Sequence, residues 1–298
     1  PHDRAITSIA AAPDGRLVVG SDRGVVLVLS LVTGATEAML MGHTSSVWAL
    51  CPLTDGTNRL LSGDDFEKCV LQLHDLDAAH NGASVVPAGR EYRGHTDSIA
   101  AIVELTSGRF ASASDDQTIR IWALESGACL ATLSGHTDDV RALALADDDT
   151  LVSGGYDKTL RLWDTRTYAA VTTIKTPSSA YKLLRLTDGT VASGHSDGVV
   201  RLWDWRRREV VGQLRGHTAD VLCLAQLPDG RLASASWDKT VRVWDVAARA
   251  CVGVVTAPAN LWCCCVMADG GLAVGCEDGR VVVLGFPWAR RLPSHSST

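Results

Sequence analysis

The sequence predicts an all-β protein in which seven four-stranded antiparallel units stack side by side and close into a ring. Three observations carry this. Residues 216–245 read GHTADVLCLAQLPDGRLASASWDKTVRVWD, and nearly the same pattern recurs over 94–122 and 135–164. Aligning on that pattern gives units starting at Pro1, Gly42, Gly94, Gly135, Thr176, Gly216 and Ala257, spaced 40 or 41 residues apart except for 52 after Gly42. Within each unit, short alternating apolar runs are separated by Gly, Asp and Pro turns, and no stretch has a helical period. A unit this small leaves both of its faces bare, so neighbours must cover them, and closing the ring removes the free ends.

The sixth unit sets the element pattern, with strands expected over Val221–Gln226, Leu232–Ser236, Thr240–Trp244 and Cys251–Val255. Pro228–Gly230 and Asp238 supply its turns. The second unit carries eleven extra residues: two between its first and second strands, two around Asp64–Lys68, and seven in Asp75–Arg90. The last insertion is rich in Ala, Asn, Gly and Ser. It reads as a flexible loop on the face bearing the third-to-fourth strand turns, here called the bottom. In the seventh unit the sequence after Leu284 makes a poor fourth strand. That unit is expected to be three-stranded or closed irregularly by Trp288–Leu292, leaving Arg280–Phe286 as an exposed edge.

The Gly-His…Trp-Asp pattern resembles the WD-repeat (WD40) β-propeller family, and the resemblance covers residues 1–298 as one domain. It implies a seven-bladed β-propeller and, within each full blade, a hydrogen-bonded tetrad. The positions that match are His95, Ser112, Asp116 and Trp122; His136, Ser153, Asp157 and Trp163; and His217, Ser234, Asp238 and Trp244. Other units depart from the pattern. The fifth has Ser193, Asp197 and Trp203 but Pro177 where His is expected, and the second has His74 at the Trp position. The first and seventh place Val19 and Leu29, and Val274 and Leu284, at the Ser and Trp positions. The resemblance also implies that the missing strand of the last blade comes from the other end of the chain, which here would lie upstream of Pro1.

Composition narrows the function. Apolar residues make up 46% and charged residues 21%, an ordinary globular balance, and the net charge of -6 argues against nucleic acid or an anionic membrane as partner. No apolar run reaches the roughly 20 residues of a membrane-spanning helix. The nine Cys show no zinc spacing and read as packed thiols of a reducing compartment. This places the protein inside the cell, most simply in the cytoplasm. Three adjacent cysteines, Cys263, Cys264 and Cys265, alternate sides of a strand and cannot ligate one ion together. The recurring His, Ser and Asp residues belong to the tetrads, one set per blade. No metal, cofactor or catalytic residue is therefore expected, and the chain reads as a non-enzyme. Trp205-Arg206-Arg207-Arg208, with Arg290-Arg291, reads as a solvated bottom-rim turn.

What remains is surface recognition. In the family that the pattern resembles, ligands bind at the top mouth of the central channel. Exposed positions there are expected just before and just after the first apolar residue of each inner strand, and before each turn Asp. These are Ala5, Thr7 and Asp22; Ser46 and Trp48; Ser98, Ala100 and Asp115; Asp139, Arg141 and Tyr156; Ala180, Lys182 and Ser196; Asp220, Leu222 and Trp237; and Leu261, Cys263 and Glu277. Phe66, in the second unit's extended turn, joins them. Trp48, Phe66, Asp139, Arg141, Tyr156, Lys182, Asp220, Leu222, Trp237 and Leu261 are the expected partner-binding set, because aromatics and Arg concentrate at interaction hot spots. The expected function is a protein-interaction scaffold binding a peptide or partner protein of mixed charge, as part of a larger protein or complex. One alternative is substrate or ubiquitin recognition within a ubiquitin-pathway protein. Another is an enzyme at the channel mouth, for which the sequence offers no acid cluster or metal site.

Overall fold

A computed structural model describes residues 5–31, 33–65, 67–80 and 84–285. Seven sheets, antiparallel except for one added strand in the first, form the blades of a closed propeller. Their innermost strands are Ile6–Ala11, Val47–Pro52, Ile99–Leu105, Val140–Leu145, Ala180–Arg185, Val221–Gln226 and Leu261–Val266. Blades 3 to 6 have four strands each, and blade 6 follows the expected pattern closely, with strands at Val221–Gln226, Leu232–Ser236, Thr240–Asp245 and Ala250–Thr256. The ring closes where Ile6, Ile9, Leu17 and Val19 of blade 1 pack against Cys263, Met267 and Ala273 of blade 7. The hydrophobic core lies between blades rather than within them: Trp163 of blade 4, for instance, packs with Ala111, Ile119 and Ile121 of blade 3.

Every inner strand has the same irregularity. Its first residue (Ile6, Val47, Ile99, Val140, Ala180, Val221 or Leu261) is fully buried and paired, and the register then shifts across the next residue. A bulge of this kind re-aims one side chain out of the sheet. The bulged residues are Thr7, Trp48, Ala100, Arg141, Tyr181, Leu222 and Trp262, and all seven line the cavity at the channel mouth.

The three expected tetrads are present. In blade 4, His136 Nδ1 lies 2.7 Å from Asp157 Oδ2 and its Nε2 2.7 Å from Ser153 Oγ, which accepts the Trp163 indole N–H at 2.8 Å. Blades 3 and 6 repeat this with His95, Asp116, Ser112 and Trp122, and with His217, Asp238, Ser234 and Trp244. Burial acts to raise the Asp157 carboxyl, but the neighbouring His136 and Thr159 outweigh it and hold it below the usual range.

Two further networks stand where the sequence pattern breaks. In blade 2, His43 contacts Asp64 at 3.0 Å and Ser62 at 2.6 Å, and Ser62 Oγ lies 2.9 Å from His74 Nε2. In blade 5 the missing first-loop His is replaced from the second strand: His195 Nε2 lies 2.7 Å from Ser193 Oγ, which accepts from Trp203 at 2.7 Å. Asp197 turns instead to Arg201 at 2.5 Å. Both substitutions sit two residues after the tetrad Ser, at Asp64 and His195. Residues two apart on a strand share a face, so either can reach the same buried site.

The long insertion corrects the expectation of a flexible loop. Asp77–His80 forms a helical turn, tied to the bottom by Asn58, which donates to both Asp14 and Asp77. Val85–Val86 then pairs in parallel with the outer strand of blade 1, giving that blade a fifth strand. Val86 is buried against Leu40 and Leu76. Two adjacent β-branched residues thus outweigh the polar residues around them.

Blade 7 is three-stranded among the described residues, with its edge at Val281–Leu284 and Val283 exposed. Trp288–Leu292 and Arg290-Arg291 lie outside the described residues. At the bottom rim Arg206 stacks on Trp205 and Arg207 approaches Asp204.

Candidate partner-binding face

The bulged side chains and the turns before strand three bring aromatics from five blades together at the mouth of the channel. Trp262 of blade 7 is central. Its ring lies 5.3 Å from that of Trp48 and 5.0 Å from that of Trp237. Edge and tilted contacts at these spacings suit the aromatic quadrupole. Trp237 is still 38% exposed, so the cluster presents a face to solvent. On the opposite side, Tyr156 meets Tyr181 edge-on at 5.5 Å.

Arg141 joins the two groups. Its guanidinium sits 5.9 Å from the Trp48 ring and 5.5 Å from the Tyr156 ring, and its Nη1 contacts both Asp115 oxygens at 2.9 and 2.7 Å. Burial nevertheless pushes the Asp115 carboxyl up to about 6, against the pull of Arg141, with Asp139 and Asp97 adding repulsion. Burial also raises Asp139. For Tyr181, burial and the Asp220 carboxylate beside it push the phenol well above its ordinary value.

Most expected site residues are therefore brought together: Trp48, Arg141, Lys182 and Leu222 line the mouth, and Asp139, Tyr156, Asp220 and Trp237 stand on its rim. Phe66 lies outside the described residues. Leu261 must be corrected. It is fully buried between blades 6 and 7, and the half-buried Trp262 takes the position at the mouth. Blade 5 shows the same one-residue slip: Ala180 is fully buried, Tyr181 is the bulged residue, and Lys182 sits one step further along. Cys263 is likewise buried rather than exposed. The slip follows from the loops leading into these blades. Relative to Gly135-His136, the Pro177 and Pro258 loops reach the first strand residue one position early. Both readings of the register began on an apolar residue, so alternation alone did not separate them.

Seven of the nine cysteines are buried or half-buried, as expected, whereas Cys129 and Cys251 on outer strands are exposed. Cys223 Sγ accepts the Cys264 backbone N–H at 3.0 Å across the blade 6–7 boundary. The Cys264 thiol and the Lys182 ammonium draw the Cys223 thiol down to about 7, while Cys264 is pushed well up. Among the described residues no group of three or more His, Cys, Asp or Glu could hold a metal ion.

A family model for the WD domain, G-beta repeat, matches residues 1–28, 88–123, 127–164 and 208–245. This is a WD-repeat β-propeller. Three of the four matched segments are the blades with unaltered tetrads. Blades 2, 5 and 7, whose network residues differ, are the unmatched ones; blade 1 is matched although Val19 and Leu29 stand at its Ser and Trp positions.

The crystal structure of the WD40 β-propeller domain of Doa1 superposes with a TM-score of 0.84 over 96% of this chain and 94% of that one, at 23% identity, a likeness of fold. Among curated relatives, nuclear distribution protein PAC1-2 of Uncinocarpus reesii is 28% identical over 160 residues, 44% of this chain and 33% of that protein. Pre-rRNA-processing protein crb3/ipi3 of Schizosaccharomyces pombe is 29% identical over 135 residues, 42% of this chain and 30% of that protein. The matched region is thus about a third of those relatives.

Proposed function

We propose that this WD-repeat propeller is a non-catalytic interaction scaffold whose top face binds a peptide or partner protein at the channel mouth. The observation that carries the reading is the convergence of Trp48, Trp262 and Trp237 from three blades on one solvent-facing cluster. Trp262 also packs against the core shared by blades 1 and 7, but Trp48 and Trp237 belong to no interblade core, so much of the cluster is spare apolar area. Rigid aromatics bury large area at small entropic cost, which is what an interaction hot spot needs. Arg141, oriented by Asp115 and by two aromatic rings, adds a fixed polar anchor. The exposed thiols of Cys129 and Cys251 suit a reducing, intracellular setting.

The test is affinity purification with the wild-type propeller and with Trp48→Ala/Trp237→Ala. The proposal predicts that partners retained by the wild type are lost from the double variant, while its melting temperature shifts by only a few degrees. Retention of the same partners by both proteins refutes the top-face assignment.

A further inference from the structure

One position recurs seven times around the inner ring, immediately after the bulge. It is occupied by Ser8, Ala49, Ala101, Ala142, Lys182, Cys223 and Cys263. Six of these are small and uncharged, and they leave a cavity of about 140 Å³ at the mouth. Lys182 alone brings a charge there. It is exposed, and it makes no ion pair or hydrogen bond among the described residues.

The other polar groups of the cavity wall are nearly all occupied. Arg141 is neutralised by Asp115. The Thr7 and Ser8 hydroxyls donate to the Val47 carbonyl at 2.6 and 2.7 Å. The Trp262 indole N–H is buried and has no acceptor. No Asp or Glu lines the cavity. The mouth thus holds one ammonium that no carboxylate meets and one unspent N–H donor; the only acid on the cavity wall near Lys182 is the Cys223 thiol, drawn down to about 7. A buried unmet donor carries a free-energy cost that a ligand acceptor would relieve.

We propose that this cavity receives a carboxylate side chain, Asp or Glu, from an acidic partner segment, with Lys182 as its counter-ion and Trp262 Nε1 as a second donor. The proposal rests on the top-face reading above and specifies its ligand. One free cation matches one carboxylate; a phosphate dianion would call for more positive charge than the single unpaired Lys supplies. The cavity is the size of one side chain, so the segment lies across the mouth and inserts a single residue, while its apolar neighbours cover the Trp237–Trp262 surface. Charge also sets its direction. The blade 3–4 rim carries Asp97, Asp138 and Asp139, which repel an acidic chain. The top turns of blades 4 and 6 carry Lys158 and Lys239, which make no ion pair among the described residues. The segment is therefore expected to leave the mouth over blades 5 and 6, where the rim carries Lys239 as well as Asp220, and away from the Asp97, Asp138 and Asp139 cluster.

The experiment is selection from a displayed library of random decapeptides on the intact propeller, with counter-selection on Trp48→Ala/Trp237→Ala. Representative sequences are then synthesised with acetylated and amidated ends and titrated. The expected result is enrichment of peptides with Asp or Glu beside an apolar residue. Their affinity should fall about ten- to hundredfold when that residue becomes Gln or Asn, and by a similar factor with Lys182→Met. Lys182→Arg should keep affinity within a few-fold, and Trp262→Phe should cost a smaller factor. Enriched neutral or basic peptides that still require Trp48 and Trp237 would overturn the carboxylate proposal and leave the top-face reading standing. Peptides needing a free C-terminal carboxylate rather than an acidic side chain would overturn it as well. Selection of nothing that depends on the two tryptophans would overturn both.

Discussion

Replacing Asp157 by Ala removes a carboxylate that is 2% exposed and sits at the centre of the blade 4 network. The carboxylate accepts from His136 Nδ1 at 2.7 Å, from the Thr159 backbone N–H at 3.0 Å and hydroxyl at 2.8 Å, and from the Thr137 backbone N–H at 3.3 Å. Thr137 is exposed, so water replaces that contact at little cost. The Thr159 groups are half-buried and regain part of theirs. His136 is buried and keeps only Ser153. Leaving one buried imidazole nitrogen without a partner costs about 1–3 kcal/mol, and the Thr159 turn adds about 1 kcal/mol. A total near 3 kcal/mol should lower the melting temperature by roughly 6 °C in a protein of this size. Differential scanning calorimetry reads the shift directly. Peptide binding at the mouth, measured well below the transition, should be unchanged because Asp157 is not among the residues lining the cavity. A melting temperature within about 1 °C of wild type would refute the assignment of Asp157 to a stabilising network.

Two further predictions follow the same geometry. Leu261→Ala should destabilise the fold by about 2–5 kcal/mol through a cavity between blades 6 and 7, whereas Trp262→Ala should weaken partner binding with a smaller effect on stability; the reverse pattern, read by chemical denaturation and binding isotherms, would restore the register first expected from the sequence. Stability should also fall as pH drops below about 6.5. Burial, with His43 alongside, pushes His74 down to about 3, and burial, with Arg201 alongside, pushes His195 down to about 4. Above pH 6.5 each is neutral whether folded or unfolded; below it only the unfolded chain gains the proton, so each contributes a loss of about 1.4 kcal/mol per pH unit until its folded value is reached. Asp115, raised to about 6, acts in the opposite sense between about 4 and 6. The comparison is therefore between wild type and His74→Gln: urea melts at pH 7.5 and 5.5 should show a shallower decline in the variant, and parallel declines would refute the burial of a neutral His74.

Much of this architecture is legible in the chain because the repeat states it several times over. Gly-His at the start, Ser on the second strand, Asp in the turn and Trp on the third recur with constant spacing, and the spacing reflects one hydrogen-bonded object. What the pattern hides is substitution in space. Asp64 and His195 occupy strand positions two beyond the tetrad Ser, where the two-residue period of a strand turns them toward the same site. A linear motif reads these blades as defective although their Ser is satisfied. The insertion of blade 2 misled for a different reason: its composition is that of a loop, and only Val85–Val86, a very short apolar pair, carries the strand.

The candidate site was legible in part for a related reason. Trp48, Arg141, Leu222 and Trp237 lie in blades led by Gly-His loops, where register transfers from one unit to the next. Tyr181 and Trp262 follow the two shorter Pro-containing loops, and there a single missing residue moved the exposed position onto Ala180 and Leu261. The distinguishing signal was present. Ala180 and Leu261 are small or aliphatic, like the buried first residues of other blades, while Tyr181 and Trp262 are amphipathic aromatics suited to a rim.

The central claim is that the top face, at the channel mouth, is where this propeller meets its partner. The most direct test is amide hydrogen exchange on the propeller alone and saturated with a partner captured by the wild type. The account predicts added protection in the top-face turns that hold Tyr156 and Trp237 and at the strand starts around Trp48 and Trp262, with the bottom turns and the outer edge at Val281–Leu284 unchanged. Protection confined to the bottom turns or to that outer edge would contradict it.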